Sequence, residues 1–483
     1  AGGIAVGIST LKNKESKGSS TGVAAGVSFV WNEIDQVQDA MLSNVVMEID
    51  DSLTVSSEAT TEVFGLAIAG ALAVGVSSRN PTYAVAGVGS GVINKVRGGS
   101  RSRIRKSTVD ADGDVIVESD DVRSIDARAG GVSLALSPRT GDGQSASTAI
   151  SAGAAFAVNE ITNATRHKEA GDEVFGVEAS VSESQVNSYG NITLTAGTAA
   201  DVFALTLAGA GAGGGGGGDG AAITLSGAGA GSNNTVDINV QASVDTTPIT
   251  VQKNLTVETT NTADIESKSY GVALGIGAVK GDGTAFTLSI GMSLAYNTID
   301  IHQEAFIRDK SINTNGAVTV ASTDSSAIDA VSIAASVAGS YSKDDSAFAL
   351  SGGGAAAENR IGGKTNAFVE NATITNTGSQ AINVTATSDG FVDAEVIAIT
   401  AGGSKGYAAG ALSIGGAKTV NLIQNVDGTA VDVRAHLQDT DIQAEGDLQV
   451  QAISSQTIDA DVTVASVAFS YGKAWAAGIS GAG

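Results

Sequence analysis

Residues 347–361 read AFALSGGGAAAENRI, a run of small residues that leads into an Asn-x-Ile step at Asn359. The same setting recurs along the chain, and most copies continue as Asn-x-Ile or Asn-x-Val. By subtraction, the spacings between the seven marker asparagines are 62, 65, 75, 63, 62 and 62 residues. A period of this length indicates a repeat architecture, so we expect one continuous array over residues 1–483 rather than several globular domains. The markers are Asn32, Asn94, Asn159, Asn234, Asn297, Asn359 and Asn421.

A second pattern places apolar residues and one glycine at fixed offsets, as in Ile307, Ile312, Gly316, Val318 and Val320. The steps of two residues are strand alternation, and the glycine suits a turn that needs positive φ. Each repeat divides into three segments of about twenty residues, and the first carries this pattern. We therefore predict an all-β, elongated β-solenoid resembling a parallel β-helix, with about 20–21 residues per coil and three coils per repeat of about 62 residues. The array is expected to continue beyond both ends. Further copies of the pattern lie at 104–117, 181–194 and 437–450.

Two segments leave the local structure open. Residues 272–279 and 285–295, separated by Gly281-Asp282-Gly283, read equally well as an antiparallel hairpin, so hairpin flaps are an alternative within the solenoid. Residues 208–231 consist mostly of Gly and Ala and coincide with the 75-residue spacing. We expect this stretch to be a glycine-rich insertion, either a flexible loop or a flat strip of small residues.

The composition excludes several classes of function. The formal net charge is −24, from 27 Lys and Arg against 51 Asp and Glu, which disfavours nucleic acid and anionic membrane surfaces as partners. Cysteine is absent, so neither disulfides nor thiolate metal sites are available. The longest apolar run, residues 63–76, is interrupted by glycine and is interpreted as buried strand, so we expect no membrane insertion.

A polar turn precedes most of the marker asparagines and is the one candidate cation site. It carries Asp142, Asp219, Asp282, Asp344 and Asp345 in tight, mostly glycine-containing turns. Carboxylates beside backbone carbonyls suit a hard cation, which here would be Ca²⁺. The alternative is an ordinary Asx or glycine turn, since other copies of the turn lack Asp.

The remaining polar groups show no pattern of a catalytic or metal site. Residues 110–114 superficially resemble the start of an EF-hand, but Asp121 stands where the loop needs Glu. A basic cluster at 95–106 is expected to pair with the acidic stretch 110–126 or with another chain, and the three histidines lack metal-ligand spacing. The marker asparagines are interpreted as scaffold residues that turn corners.

The small-residue strand, the Asn-x-Ile step and the Gly-x-Val-x-Val coil resemble the repeat region of giant bacterial surface proteins, the filamentous-haemagglutinin-like adhesins. This resemblance implies an extracellular or cell-surface location and a role in adhesion, biofilm or fibre formation, without catalysis. The expected partners are the protein itself, by end-to-end or lateral association, and glycans of host or neighbouring cells. The alternative is a polysaccharide-binding or polysaccharide-active parallel β-helix, which the low aromatic content of 4% disfavours.

Overall fold

The computed structural model describes residues 1–11, 18–139, 141, 144–168 and 171–483, and within these ranges it is built of β-strands without helices. Long parallel strands form two extended stacks, and short strands form a third. The first long stack contains β4 (Leu53–Ser77), β7 (Val115–Ser137), β12 (Ile192–Gly216), β15 (Leu255–Val279), β18 (Val318–Ser342) and the first parts of β21 (Ile382–Ile423) and β24 (Leu448–Ala482), with β1 (Gly2–Leu11) paired to β4.

The second long stack faces the first and receives the chain after each polar turn. It contains β2 (Ser20–Ser43), β5 (Thr82–Arg105), β8 (Ser147–Lys168), β10 (Val177–Ser182), β13 (Ala222–Asp245), β16 (Ala285–Arg308), β19 (Ala347–Glu370), the second part of β21, β22 (Asp432–Gln438) and the second part of β24. The third stack contains β3 (Val46–Ile49), β6 (Thr108–Ala111), β11 (Gln185–Ser188), β14 (Ile249–Val251), β17 (Ser311–Thr314), β20 (Thr373–Asn376) and β23 (Asp441–Ala444).

Each repeat therefore contributes one row, made of two long strands and one short strand. Hydrogen-bonded neighbours lie a whole repeat apart: Leu53 pairs with Val115, and Leu255 pairs with Val318. The all-β, parallel-strand prediction is confirmed at this level, but the predicted coil of 20–21 residues is wrong. The alternation within one repeat cannot distinguish three stacked coils from one wide row, because both give the same inward and outward pattern.

The corners between the second and third stacks use residues other than glycine. One residue with positive φ follows the long strand in every row, and none of these seven is glycine. The glycines at the fixed offset of the sequence pattern are required for a different reason. A Cβ at Gly316 would lie 2.3 Å from the carbonyl oxygen of Lys253 in the adjacent row. Close stacking of corners, rather than positive φ, therefore selects glycine there. The corner residues are Asn44, Lys106, Glu183, Thr246, Asp309, Asn371 and Asp439.

The one antiparallel pairing in the described part of the chain accounts for the longest repeat. β8 turns back on β9 (Gly171–Phe175), with Ala164 opposite Phe175. Residues 208–231 form regular parts of β12 and β13 rather than a loop, so the additional residues lie in this hairpin. Residues 272–295 do not form a hairpin either, since β15 and β16 each pair in parallel within different stacks.

The interior changes character along the long strands. Near the short stack, which we call the base, the core is bulky and includes fully buried Ile104, Val109 and Val115. Towards the polar turns, the inward side chains are almost all Ala, Gly and Ser, and we call this part the wing (for example, residues 64–77 and 82–93). Small side chains allow the two stacks to approach closely, so a Cβ at Gly271 would lie 1.8 Å from the carbonyl oxygen of Met292.

Candidate interaction surface

The marker asparagines form one continuous ladder inside the molecule. Asn94 donates from Nδ2 to Oδ1 of Asn159 at 2.9 Å, and Asn159 donates in the same way to Asn234 at 2.7 Å. Six such bonds join all seven residues, with Asn32 at one end and Asn421 at the other. The five inner asparagines are at most 1% exposed. Each inner amide therefore donates one hydrogen bond to the row on one side and accepts one from the row on the other side.

The prediction that these asparagines turn corners is wrong. They lie in the middle of the second-stack strands, and their side chains point inward at the junction of wing and base. A Cβ at Gly65 would lie 3.1 Å from Oδ1 of Asn94, so a glycine on the facing strand leaves room for this amide. Identical amides stacked in register can form the same side-chain hydrogen bond from each row to the next. The ladder fixes the register of the stack rather than the path of the chain.

Two buried charged groups also lie among the inward side chains of the first stack. Arg123 is 1% exposed, donates from Nε to Asp121 at 2.9 Å and donates to the carbonyl oxygen of Thr162 at 2.7 Å. Asp324 accepts from Nδ2 of Asn261 at 2.7 Å, and its burial raises the pKa of this carboxyl, although hydrogen bonds from its neighbours act in the opposite direction. Each charged group is enclosed by its own partners, so neither is presented to a substrate.

The described candidate calcium residues lie at the outer tip of the wing, in equivalent turns of three rows, with Asp344 and Asp345 in the same turn. Asp219 accepts from Gln144, Asp345 accepts from Thr284 at 3.2 Å, and Asp344 lies 3.5 Å from Lys343. Asp142 falls outside the described residues, and Asp282 lies in the turn between β15 and β16. Among described residues, no group of three or more acidic or histidine side chains converges on one point that could hold a metal. The calcium site at these turns stays a prediction.

The basic cluster pairs with acidic residues of the rows on either side. Arg97 bonds to Glu33 and Arg103 to Asp39, both at 2.7 Å, while Lys95 lies 3.1 Å from Glu160. These partners differ from the predicted stretch 110–126, because an outward residue of a stacked strand meets the same position of an adjacent row, as Lys95 meets Glu160, or a position two residues away, as Arg97 meets Glu33. Residues 110–114 form part of β6 and a corner, not an EF-hand loop.

The described histidine side chains show no metal geometry. His436 stacks on Phe368 with ring centroids 5.0 Å apart, and Phe368 stacks in turn on Phe306 at 4.9 Å. His302 lies 3.5 Å from Asp300. The backbone of His167 belongs to β8. The first two histidines therefore belong to contacts between or within rows rather than to one site.

The outer faces of the wing form the most distinctive surface. Strands of the first stack carry no charged residue between Lys268 and Lys280 or between Asp329 and Lys343. Large apolar side chains point outward over these stretches, and Ile276 is 53% exposed. The second stack repeats this property on the opposite side of the wing, from 285 to 299 and from 347 to 357. Most charged residues lie at the base and at the tip, so both broad faces of the wing are largely apolar, with Lys405 on the first-stack face and Lys418 on the second-stack face as exceptions.

The second-stack face has a regular relief. Ile290, Met292 and Leu294 on β16 project as a ridge and are 42%, 50% and 37% exposed. The same register positions are Gly227, Gly229 and Gly231 on β13, on one side of the ridge. On the other side, β19 places Gly352, Gly354 and Ala356 there. An added Cβ at Gly227 or Gly229 would meet nothing within 4 Å, so these rows are grooves open to the outside.

The first-stack face also contains a depression, an open trough of about 580 Å³. Gly339 and Gly403 lie at its floor, while Ile276, Tyr341 and Phe469 supply apolar walls. It is lined by equivalent register positions of adjacent rows, and its polar side chains are Ser340, Ser404 and Lys405. This arrangement suits contact with an apolar surface better than chemistry on a small substrate.

Comparison of the chain with known protein families, with characterised proteins and with solved structures finds no match. The described residues include no helix with the length and apolarity needed to cross a membrane.

Proposed function

We propose that this chain is a structural segment of an extracellular or cell-surface fibre, with an adhesive or biofilm-forming role and no catalysis. In this proposal, the stacked rows are a β-solenoid in which one winding is a whole repeat. The asparagine ladder is the main support. It joins equivalent residues of all seven repeats through the interior, which serves a regular lengthwise array and not a single reaction centre.

Growth along the stacking direction is supported by the exposed core of the last row. Leu448, Val450 and Ile458 are 48%, 42% and 48% exposed, although their register positions in inner rows are fully buried. A further row placed there, contributed by the same chain or by another copy, would bury these side chains and pair the edge of β24. Lengthwise continuation along this axis would therefore extend both the core and the backbone hydrogen bonding.

The test compares two lysine substitutions in one strand. Ile458→Lys places a charge on the inward side of the last row, while Ile453→Lys places it on the outward side, where the residue is 38% exposed. Electron microscopy of the wild-type chain is expected to show particles joined lengthwise, shortened to single units by Ile458→Lys and unchanged by Ile453→Lys. Single units for the wild type, or equal effects of the two variants, would reject lengthwise association.

A further inference from the structure

Among the residues that the structure describes, no strand packs against the outer face of the wing on the second stack. Eight rows at about 4.8 Å and about ten residues at 3.3 Å give this face an area of roughly 1,300 Å². A stable protein–protein interface buries about 800 Å² on each partner, so contact over the whole face is large enough to be specific. The side chains that would be covered include Trp31, Met292 and Tyr296, which are 58%, 50% and 44% exposed.

The relief of this face is complementary to itself. The ridge Ile290–Met292–Leu294 runs beside the groove Gly227–Gly229–Gly231 in the adjacent row. A two-fold axis between these rows would place the ridge of each copy in the groove of the other. Such an isologous contact needs only one surface patch, because the same patch supplies both halves.

The same structure argues against fluid lipid as the cover of this face. Fluid lipid chains have no fixed shape that would match a ridge flanked by glycine rows, whereas a second copy of the same face has such a shape.

We propose that this face binds the same face of a second copy of the chain, with the β16 ridge of each copy seated in the β13 groove of the other. The contact joins solenoids side by side and so rests on and deepens the proposed fibre function. Charged residues at the base and tip, such as Glu358 and Lys343, border the apolar area and remain hydrated. Lateral pairing would thicken a fibre, whereas the end contact would lengthen it.

The deciding variants change the relief without removing apolar surface. Gly229→Met fills the groove at a position with open space, so the fold is expected to be kept. Ridge and groove then clash, and the dissociation constant of the lateral dimer is expected to rise at least about tenfold, which corresponds to about 1.4 kcal/mol. Combining Gly229→Met with Met292→Gly exchanges ridge and groove and should restore binding. Met292→Glu should abolish it, while Val46→Glu, at an 84% exposed site outside the wing, should not.

Sedimentation velocity in about 150 mM salt measures this equilibrium, because salt at that level screens the repulsion between copies of net charge −24. All variants carry Ile458→Lys, so lengthwise growth is suppressed and only lateral association is observed. Circular dichroism verifies the fold of each variant. Flotation with phosphatidylcholine vesicles tests whether lipid, rather than a second copy, binds this face.

The expected result is a dimer that Gly229→Met weakens, the exchange variant restores and vesicles do not bind. A monomer at all concentrations would overturn lateral pairing but leave the lengthwise test untouched. Tighter association of Gly229→Met would overturn the ridge-in-groove contact, since added apolar area would then be what matters. Flotation of the wild type, strengthened by Gly229→Met, would assign the face to lipid instead.

Discussion

The Asn234→Ala substitution is the sharpest test of the asparagine ladder. Asn234 is fully buried, accepts from Nδ2 of Asn159 at 2.7 Å and donates to Oδ1 of Asn297 at 2.7 Å. Truncation leaves one donor and one acceptor buried without their partner. Each unsatisfied group costs about 1–3 kcal/mol, so we expect a loss of about 2–6 kcal/mol in the free energy of unfolding.

Two comparisons separate the ladder from other effects. Asn233→Ala changes the adjacent, exposed residue of the same strand, and we expect an effect within about 0.5 kcal/mol. Asn32→Ala removes a half-buried end residue that only donates, to Asn94 at 2.8 Å, and so leaves one group unsatisfied, at a cost of about 1–3 kcal/mol. The expected order of destabilisation is Asn234, then Asn32, then Asn233.

Urea unfolding followed by circular dichroism gives the global change, and amide hydrogen exchange of β8, β13 and β16 gives the local one. The local measurement is needed because stacked repeats can open in part without unfolding as a whole. We expect faster exchange in the three rows around position 234. A loss below about 1 kcal/mol for Asn234→Ala, or an equal loss for Asn233→Ala, would refute the view that the ladder stabilises the stack.

Three further outcomes follow from the packing and charge of the interior. Gly271→Ala should lower the free energy of unfolding by about 1–3 kcal/mol, because its Cβ would overlap the facing backbone. Gly227→Ala has open space around its Cβ and should be neutral or slightly stabilising. Thermal unfolding measures both variants. Burial, followed by nearby acidic charges, raises the pKa of Asp329 in the folded state, so its contribution to stability is lost as pH rises through that pKa. The contribution of Asp329 to the melting temperature should therefore increase as pH falls through its raised pKa toward the ordinary Asp value of 3.8. Asp329→Asn should lack this contribution, and an identical pH dependence in the variant would contradict this. Asp121→Asn leaves the buried Arg123 without its charge partner. The free energy of unfolding in urea should fall by about 3–5 kcal/mol, and a fall of less than about 1 kcal/mol would show that the ion pair is dispensable.

The sequence allowed the repeat, the strand content and the alternation to be predicted, because these depend on local spacing. Ile328 and Val318 lie inward as the pattern of two indicates, and both are fully buried. The winding length could not be predicted in the same way. Whether Leu255 pairs with a residue about 20 or about 62 positions away is decided by where the chain turns, and the corner residues such as Thr246 and Asp309 carry no glycine signal.

The candidate surface was hidden for a related reason. Residues 63–76 were interpreted as buried strand, yet only their inward side chains are covered, and Phe64 is 60% exposed. A signal was available: outward positions of the wing are apolar in row after row, while inward positions are Ala, Gly and Ser. In a strand with one covered face, the bulky residues would be expected inward. Here the bulky residues occupy the outward positions, and this pattern could have indicated a thin interior with apolar outer faces.

By itself, the sequence determined that equivalent residues recur in one array and that the strands alternate, since both are properties of neighbours along the chain. Only the tertiary structure decided that Asn94, Asn159 and Asn234 meet in one ladder and that the bulky residues of the wing face outward. The physical reason is that stacking brings together residues a whole repeat apart. Which side of a strand is covered depends on the second stack, which local periodicity does not specify.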